Sequence, residues 1–330
     1  MKKSRRTNLI TGGAGFIGYH LATLLLADGQ EVTLVDDLSR GKHDRAMKEL
    51  LSRPAVRLIR CDLTDVRQMN QLGGPYDHVY HLAAVNGTAN FYDVPHEVLR
   101  INTKSLINVL EWFIAHNMKG KILFTSSNEA YAAGLDSFGT LPLPTPEDVP
   151  MVIPDSDNPR WTYAASKLIG ELFLSHYAKR YGFRMSIVRP HNFYGPRAGY
   201  GHVIPELIAR ATRKEDPFVV FGSDQTRSFC YIDDAVEAMK SVMESRATDG
   251  ETFHIGSNVE TRIADLADMI FTQMRWRPRN LVRKSALVGS VQRRLPDVRK
   301  IRRTVGWKPR TSLYAGLEKS VGWYTNPANE

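Results

Sequence analysis

The chain has 330 residues, 42% hydrophobic, 9% aromatic and 24% charged, proportions that support a buried core and exclude disordered and fibrous classes. Its 44 lysines and arginines outnumber 35 aspartates and glutamates, for a formal net charge of +9. The excess sits in the N-terminal tail and between residues 275 and 310. With no nucleic-acid module beside it, it fits a small diphosphate-bearing substrate better than DNA or RNA.

No apolar run approaches a membrane span. The basic start leads straight into a glycine turn, without the apolar stretch of a signal peptide, so a cytoplasmic location is expected. Cys61 and Cys230 show neither disulfide nor metal spacing, so reduced thiols and no metal are expected.

In chain order, β-branched runs at 8–11, 31–35, 56–60, 77–82 and 121–125 read as strands, with helical patterns between them, as at 16–27 and 98–116. A further helix at 163–180 leads to a strand at 184–188. Such alternation implies right-handed βαβ crossovers and an α/β fold: a doubly wound, Rossmann-type parallel sheet. Residues 1–190 are expected to form the dinucleotide-binding domain. The stretch 134–160, rich in proline and acidic residues, reads as a surface loop. After Pro190 the rhythm changes, and 191–330 reads as a smaller mixed α/β substrate lobe with some segments returning to the sheet.

Thr11-Gly12-Gly13-Ala14-Gly15-Phe16-Ile17-Gly18 follows a strand and opens a helix. Gly12 permits the turn, Gly15 lets backbone approach a pyrophosphate, and Gly18 allows close helix packing. Phe16 and Ile17 begin the helix whose free N–H groups would face the phosphates. Asp36, ending the second strand, can accept both ribose hydroxyls and would repel a 2′-phosphate, so the cofactor is expected to be NAD. Asp62 and Leu63 end the third strand near the adenine edge, and Leu82, Ala83 and Ala84 end the fourth with little bulk against the cofactor.

Tyr163-Ala164-Ala165-Ser166-Lys167 puts a phenol and an ammonium on one helix face. Lys167 is expected to lower the Tyr163 pKa, so that the phenol accepts an alcohol proton as hydride leaves. Ser127, at the carboxyl end of the fifth strand, is the hydroxyl expected to hold the substrate oxygen.

At these residues the sequence resembles the NAD-dependent epimerase/dehydratase family of extended short-chain dehydrogenases. The likeness covers the glycine turn, His81-Leu82-Ala83-Ala84, Asn102, the Ser127 region, Tyr163 to Lys167, Arg189 to Pro196, Arg227 to Asp234 and Gly306-Trp307-Lys308-Pro309. It implies oxidation of a hydroxyl, usually at C4, on a nucleotide-diphosphate sugar, followed by epimerisation, dehydration or decarboxylation. It further implies that Asn192 and Arg227 face the diphosphate, that Asn102 lies on the cofactor side, and that the helices at 98–116 and 163–180 pair in a homodimer.

Glu129 bears on which outcome follows. Dehydratases and uronate decarboxylases of the family place Glu there, where it could remove a C5 proton or be held by cations with no chemistry. Gln292 to Asp297 resembles the decarboxylase run in which an arginine, here Arg294, acts near the substrate carboxylate. Asn128, itself expected to contact the substrate, stands where decarboxylases carry Ser and many dehydratases Asp, and Phe91 stands in place of a tyrosine. The leading expectation is therefore a nucleotide-sugar 4-epimerase. A UDP-glucuronate decarboxylase or a 4,6-dehydratase using Glu129 is the alternative, and a non-catalytic NAD-binding regulator is the alternative of another class.

Overall fold

A computed structural model describes residues 5–41, 43–139, 141–286 and 291–329. Parts of the basic tail, of the 134–160 stretch and of the basic 275–310 stretch lie outside the described residues. Seven parallel strands form the central sheet: β1 (Thr7–Thr11), β2 (Glu31–Asp36), β3 (Val56–Arg60), β4 (His78–His81), β5 (Lys121–Thr125), β6 (Arg184–Pro190) and a last strand, Thr252–Ile255. From one edge to the other they run Thr252–Ile255, β6, β5, β4, β1, β2, β3. The order reverses between β1 and β4, which opens a crevice at their carboxyl ends, the place where open α/β sheets bind ligands. The inner strands are buried on both faces, as parallel sheets covered by crossover helices must be, whereas the edge strand β3 keeps only Val56 buried.

Helix Phe16–Ala27 and helix Ile232–Glu244 pack together, and Pro95–His116 packs on Thr162–Tyr181. Of the apolar residues along the second pair, Leu106, Val109, Leu110 and Phe113 are buried in the core, whereas Leu172 is 49% exposed. None of the helices among the described residues is long and apolar enough to cross a membrane.

The residues after β6 make small sheets. Strand Thr226–Ser228 lies between Glu260–Arg262, antiparallel, and Arg293–Arg294, parallel. Thr252–Ile255 returns to the main sheet beside β6. The 134–160 stretch is less superficial than its composition suggests. Thr145 is buried, its N–H bonds to Leu295 O at 2.8 Å, and its carbonyl accepts from Asp297 N at 2.8 Å. That backbone pairing ties the stretch to the segment carrying Arg294.

Candidate active site

A cavity of about 500 Å³ fills the crevice between the sheet edge and the smaller lobe. Gly12, Gly15, Phe16, Ile17 and Gly18 form one wall. Gly12 has φ +66°, and a Cβ there would lie 2.9 Å from Ala83 N. A Cβ on Gly18 would meet Gly12 O at 2.5 Å, so this glycine lets the helix seat against the turn itself. Sequence reasoning missed Gly13, where a Cβ would strike the Leu34 side chain at 2.7 Å. It also missed Thr11, whose Oγ1 accepts from the N–H groups of Leu82 and Ala83 at 3.1 and 3.2 Å and so joins β1 to β4 across the switch point.

Asp36 is buried at the end of β2, accepting from Ala14 N at 3.0 Å and Leu38 N at 2.9 Å. Burial raises its pKa against the opposing pull of those two N–H groups. Two bonds leave carboxylate lone pairs for ribose hydroxyls. Asp62, Leu63, Leu82, Ala83 and Ala84 line the same half of the cavity. The helix starting at Phe16 has no side-chain cap on its first N–H groups, so they can receive a phosphate. The glycine cradle, the uncapped helix start and the ribose acceptor fit NAD.

Asn102 lies apart from this wall. Its amide accepts from Val85 N at 2.7 Å and donates to Val85 O and Ser166 Oγ, each at 3.1 Å. It therefore pins the loop after β4 to the helix that carries Tyr163, and it acts on the cofactor side through that loop.

The opposite wall includes Ser127, Asn128, Glu129, Tyr163 and Lys167. Ser127 Oγ accepts from Glu129 N at 3.1 Å. Tyr163 stacks on Phe91 with centroids 5.2 Å apart. Lys167 Nζ donates to Thr125 O at 2.8 Å and lies 5.6 Å from the Tyr163 ring centroid. Burial brings the Lys167 pKa down to about 7, partly offset by the charge of Glu171. Burial, joined by the Glu129 carboxylate, pushes the Tyr163 phenol up rather than down. The direction of the Tyr163 pKa is thus set by its burial, opposite to the lowering expected from a neighbouring ammonium.

Glu129 is the centre of an ion-pair cluster. Its Oε2 accepts from Arg160 Nη2 and its Oε1 from Arg294 Nη1, both at 2.6 Å. Burial favours its protonation, but the Arg294 and Arg160 guanidinium groups outweigh burial and hold its pKa at about 2. Sequence reasoning missed Arg160, which lies just before the Tyr163 helix in the run Pro159-Arg160-Trp161.

Asn192, with φ +41°, lines the cavity and donates from Nδ2 to Ser228 O at 2.8 Å. Arg227 stands opposite Arg294 in the strand register. It donates to Thr226 O at 2.8 Å and to Gln225 Oε1 at 3.0 Å. Burial, with Arg294 nearby, lowers its pKa to about 10. Cys61 and Cys230 are buried free thiols. Among the described residues no group of three or more His, Cys, Asp or Glu is placed to hold a metal ion.

A Rossmann sheet with a dinucleotide cradle facing a Ser–Tyr–Lys wall defines an oxidoreductase of the short-chain dehydrogenase type. The chain belongs to the NAD dependent epimerase/dehydratase family, whose pattern matches residues 8–256. It is accordingly an NAD-dependent enzyme of nucleotide-sugar metabolism. It is 33% identical to a UDP-N-acetyl-α-D-glucosaminuronate decarboxylase of Bacillus cytotoxicus, over 98% of each chain. It is 29% identical to UDP-glucuronic acid decarboxylase 1 of Xenopus tropicalis, over 98% of this chain and 73% of that one. Among solved structures, the UDP-glucose 4-epimerase of Thermotoga maritima with UDP-glucose superposes with a TM-score of 0.83 at 29% identity, covering 96% of this chain and 98% of that one.

Proposed function

We propose that this enzyme oxidises C4 of a nucleotide-activated uronic acid and then releases the sugar carboxyl as CO2. The observation that carries the reading is the cluster of two guanidinium groups on one carboxylate, Arg160–Glu129–Arg294, of which Glu129 and Arg294 line the cavity together with Ser127 and Tyr163. It bears a net positive charge in a half-buried place, which suits an anionic sugar group. The likeness, over 98% of this chain, to two proteins named as decarboxylases of UDP-linked sugar acids supports the same substrate class.

NAD supplies the hydride acceptor at C4. Tyr163 takes the alcohol proton in its phenolate form while Ser127 holds the substrate oxygen. The resulting 4-keto group stands β to the C6 carboxylate. When the C5–C6 bond breaks, CO2 departs and its electron pair forms an enolate at C4, which the Tyr163 and Ser127 hydroxyls can stabilise. C5 then takes a proton from water, and the hydride would return to C4 as Tyr163 gives its proton back to the C4 oxygen, which regenerates the oxidised cofactor and the starting protonation state. This sequence needs no base at C5, which matters because a Glu129 held at about 2 is a weak base at neutral pH. The same reasoning places 4,6-dehydration last, since that reaction needs both a C5 base and an acid, and Asn128 is no acid.

The 4-epimerase reading stands second. Ser127, Tyr163 and Lys167 suffice for oxidation and return of hydride, and the full-length likeness to a UDP-glucose 4-epimerase favours it. The test is incubation of the pure protein with UDP-glucuronate, UDP-N-acetylglucosaminuronate and UDP-glucose, following mass, CO2 and C4 stereochemistry. Loss of CO2 supports the proposal, whereas inversion at C4 with unchanged mass replaces it with the epimerase.

A further inference from the structure

We infer that the Asn128 carboxamide is a ligand of the sugar carboxylate, donating through Nδ2 beside Arg294 and selecting acidic over neutral sugars. The inference rests on the uronate reading above and names the residue that makes the site choose an acid.

Asn128 is 6% exposed, directly follows Ser127 and lines the cavity. Its Oδ1 faces Ser127 Oγ at 3.4 Å, a long contact that leaves Nδ2 on the other side of the amide. Its Nδ2 is buried and has no partner in the protein. A buried donor without an acceptor is unfavourable, so a ligand atom that completes it is a natural explanation for its place on a cavity wall.

Two further donors around Glu129 are in the same state. Arg294 Nε and Arg160 Nη1 are buried and unpartnered. Glu129 does not satisfy them, because its two oxygens are engaged by the other guanidinium nitrogens, Arg294 Nη1 and Arg160 Nη2. Asn128 and Arg294, both on the cavity wall, therefore offer two unused donors to an incoming group. A carboxylate has two acceptor oxygens and no proton of its own, and it brings the charge that the cluster lacks. A hydroxymethyl group offers one neutral oxygen, brings no charge to the cluster, and carries a proton that neither Asn128 Nδ2 nor Arg294 Nε can accept.

The amide also explains itself by what it cannot do. A serine or aspartic acid here could deliver a proton to the sugar, but a carboxamide holds its hydrogens at neutral pH. Its contribution is binding.

The test uses NAD-loaded Tyr163→Phe protein, in which turnover is blocked, titrated calorimetrically with UDP-glucuronate and with UDP-glucose. The parent should bind UDP-glucuronate more tightly. Adding Asn128→Ala should weaken UDP-glucuronate about tenfold, the scale of one hydrogen bond to a charged group, while UDP-glucose changes by less than about twofold. Asn128→Asp should weaken UDP-glucuronate further, because a second carboxylate repels the first. Equal loss for both ligands would make Asn128 a structural residue, and no loss for either would remove it from the site. Both outcomes overturn the inference while the uronate reading stands. If the parent binds neither ligand or prefers UDP-glucose, the uronate reading falls and takes this inference with it.

Discussion

Glu129 and Arg294 are 165 residues apart in the chain, yet Glu129 Oε1 accepts from Arg294 Nη1 at 2.6 Å. The glutamate comes from the turn of helix that follows β5 and the arginine from the edge of the smaller lobe, so the ion pair ties the main sheet to that lobe. Thr145 braces the arginine side by backbone bonds to Leu295 and Asp297. If that pair serves a sugar carboxylate, Arg294→Ala should cut CO2 release from UDP-glucuronate by roughly a hundredfold, the scale of losing a positioned charged group. C4 oxidation, seen as reduced-nicotinamide absorbance, should persist. Near-normal CO2 release would remove Arg294 from the reaction.

Tyr163 is buried and stacked on Phe91, and its proton-accepting role cannot pass to a ring without a hydroxyl. Tyr163→Phe should abolish turnover while NAD and nucleotide sugar still bind. Calorimetric binding beside an assay for residual product checks both halves of this expectation. More than a small fraction of wild-type activity would count against the role.

Local signals carried well from sequence to structure, and distant ones did not. The glycine turn and the Tyr163–Lys167 spacing are legible because each lies within one turn of backbone or helix. The strand patterns placed β3 and β5 at the bounds observed and the other strands of the first half within one or two residues. The Arg160–Glu129–Arg294 cluster joins three separate segments, and no periodicity encodes it. Arg294 was reachable through a family resemblance, and Arg160 acquired its partner only in three dimensions. Asn102 shows a different limit: its residue type suited a ligand contact, while the fold turns the whole amide toward Val85 and Ser166. The direction of the Tyr163 pKa depended on burial, which a motif does not report.

Asp36 accepts two backbone N–H groups and still presents a carboxylate to the cofactor half of the cavity. Extraction of the purified protein should yield NAD. Asp36→Ala should weaken NAD and lose discrimination against NADP, measured by titrating both into stripped protein. Recovery of NADP from the wild type would sink this assignment.

The helices Pro95–His116 and Thr162–Tyr181 lie side by side, and Leu172 and Tyr181 on the second are 49% and 44% exposed. A homodimer through this pair is expected, with Leu172 covered by the partner copy. Light scattering at micromolar concentration should report a dimer, and Leu172→Glu should shift it toward monomer without changing the far-UV spectrum. A monomeric wild type ends the dimer reading.

The last prediction concerns the charge on Glu129 and its pH window. The folded carboxyl is held at about 2, below its ordinary value of 4.5, because the Arg294 and Arg160 guanidinium groups outweigh burial. The folded state therefore binds fewer protons here than the unfolded chain between those two values. The resulting stabilisation is complete above the unfolded value and drains away as pH falls through 4.5 toward about 2. Glu129→Gln lacks that contribution at every pH and leaves two guanidinium groups facing each other. The variant should be less stable than wild type at neutral pH, and the gap should narrow as the pH is lowered through the window. Urea unfolding of both proteins at several pH values across it supplies the measurement. The acid limb of kcat/KM should keep its midpoint in the variant, because a carboxylate that stays ionised to about 2 cannot set a limb nearer neutrality. A stability gap that stays constant through the window, or an acid limb that moves with Glu129→Gln, would show that the carboxylate exchanges protons in the working range and restore it as an acid or base.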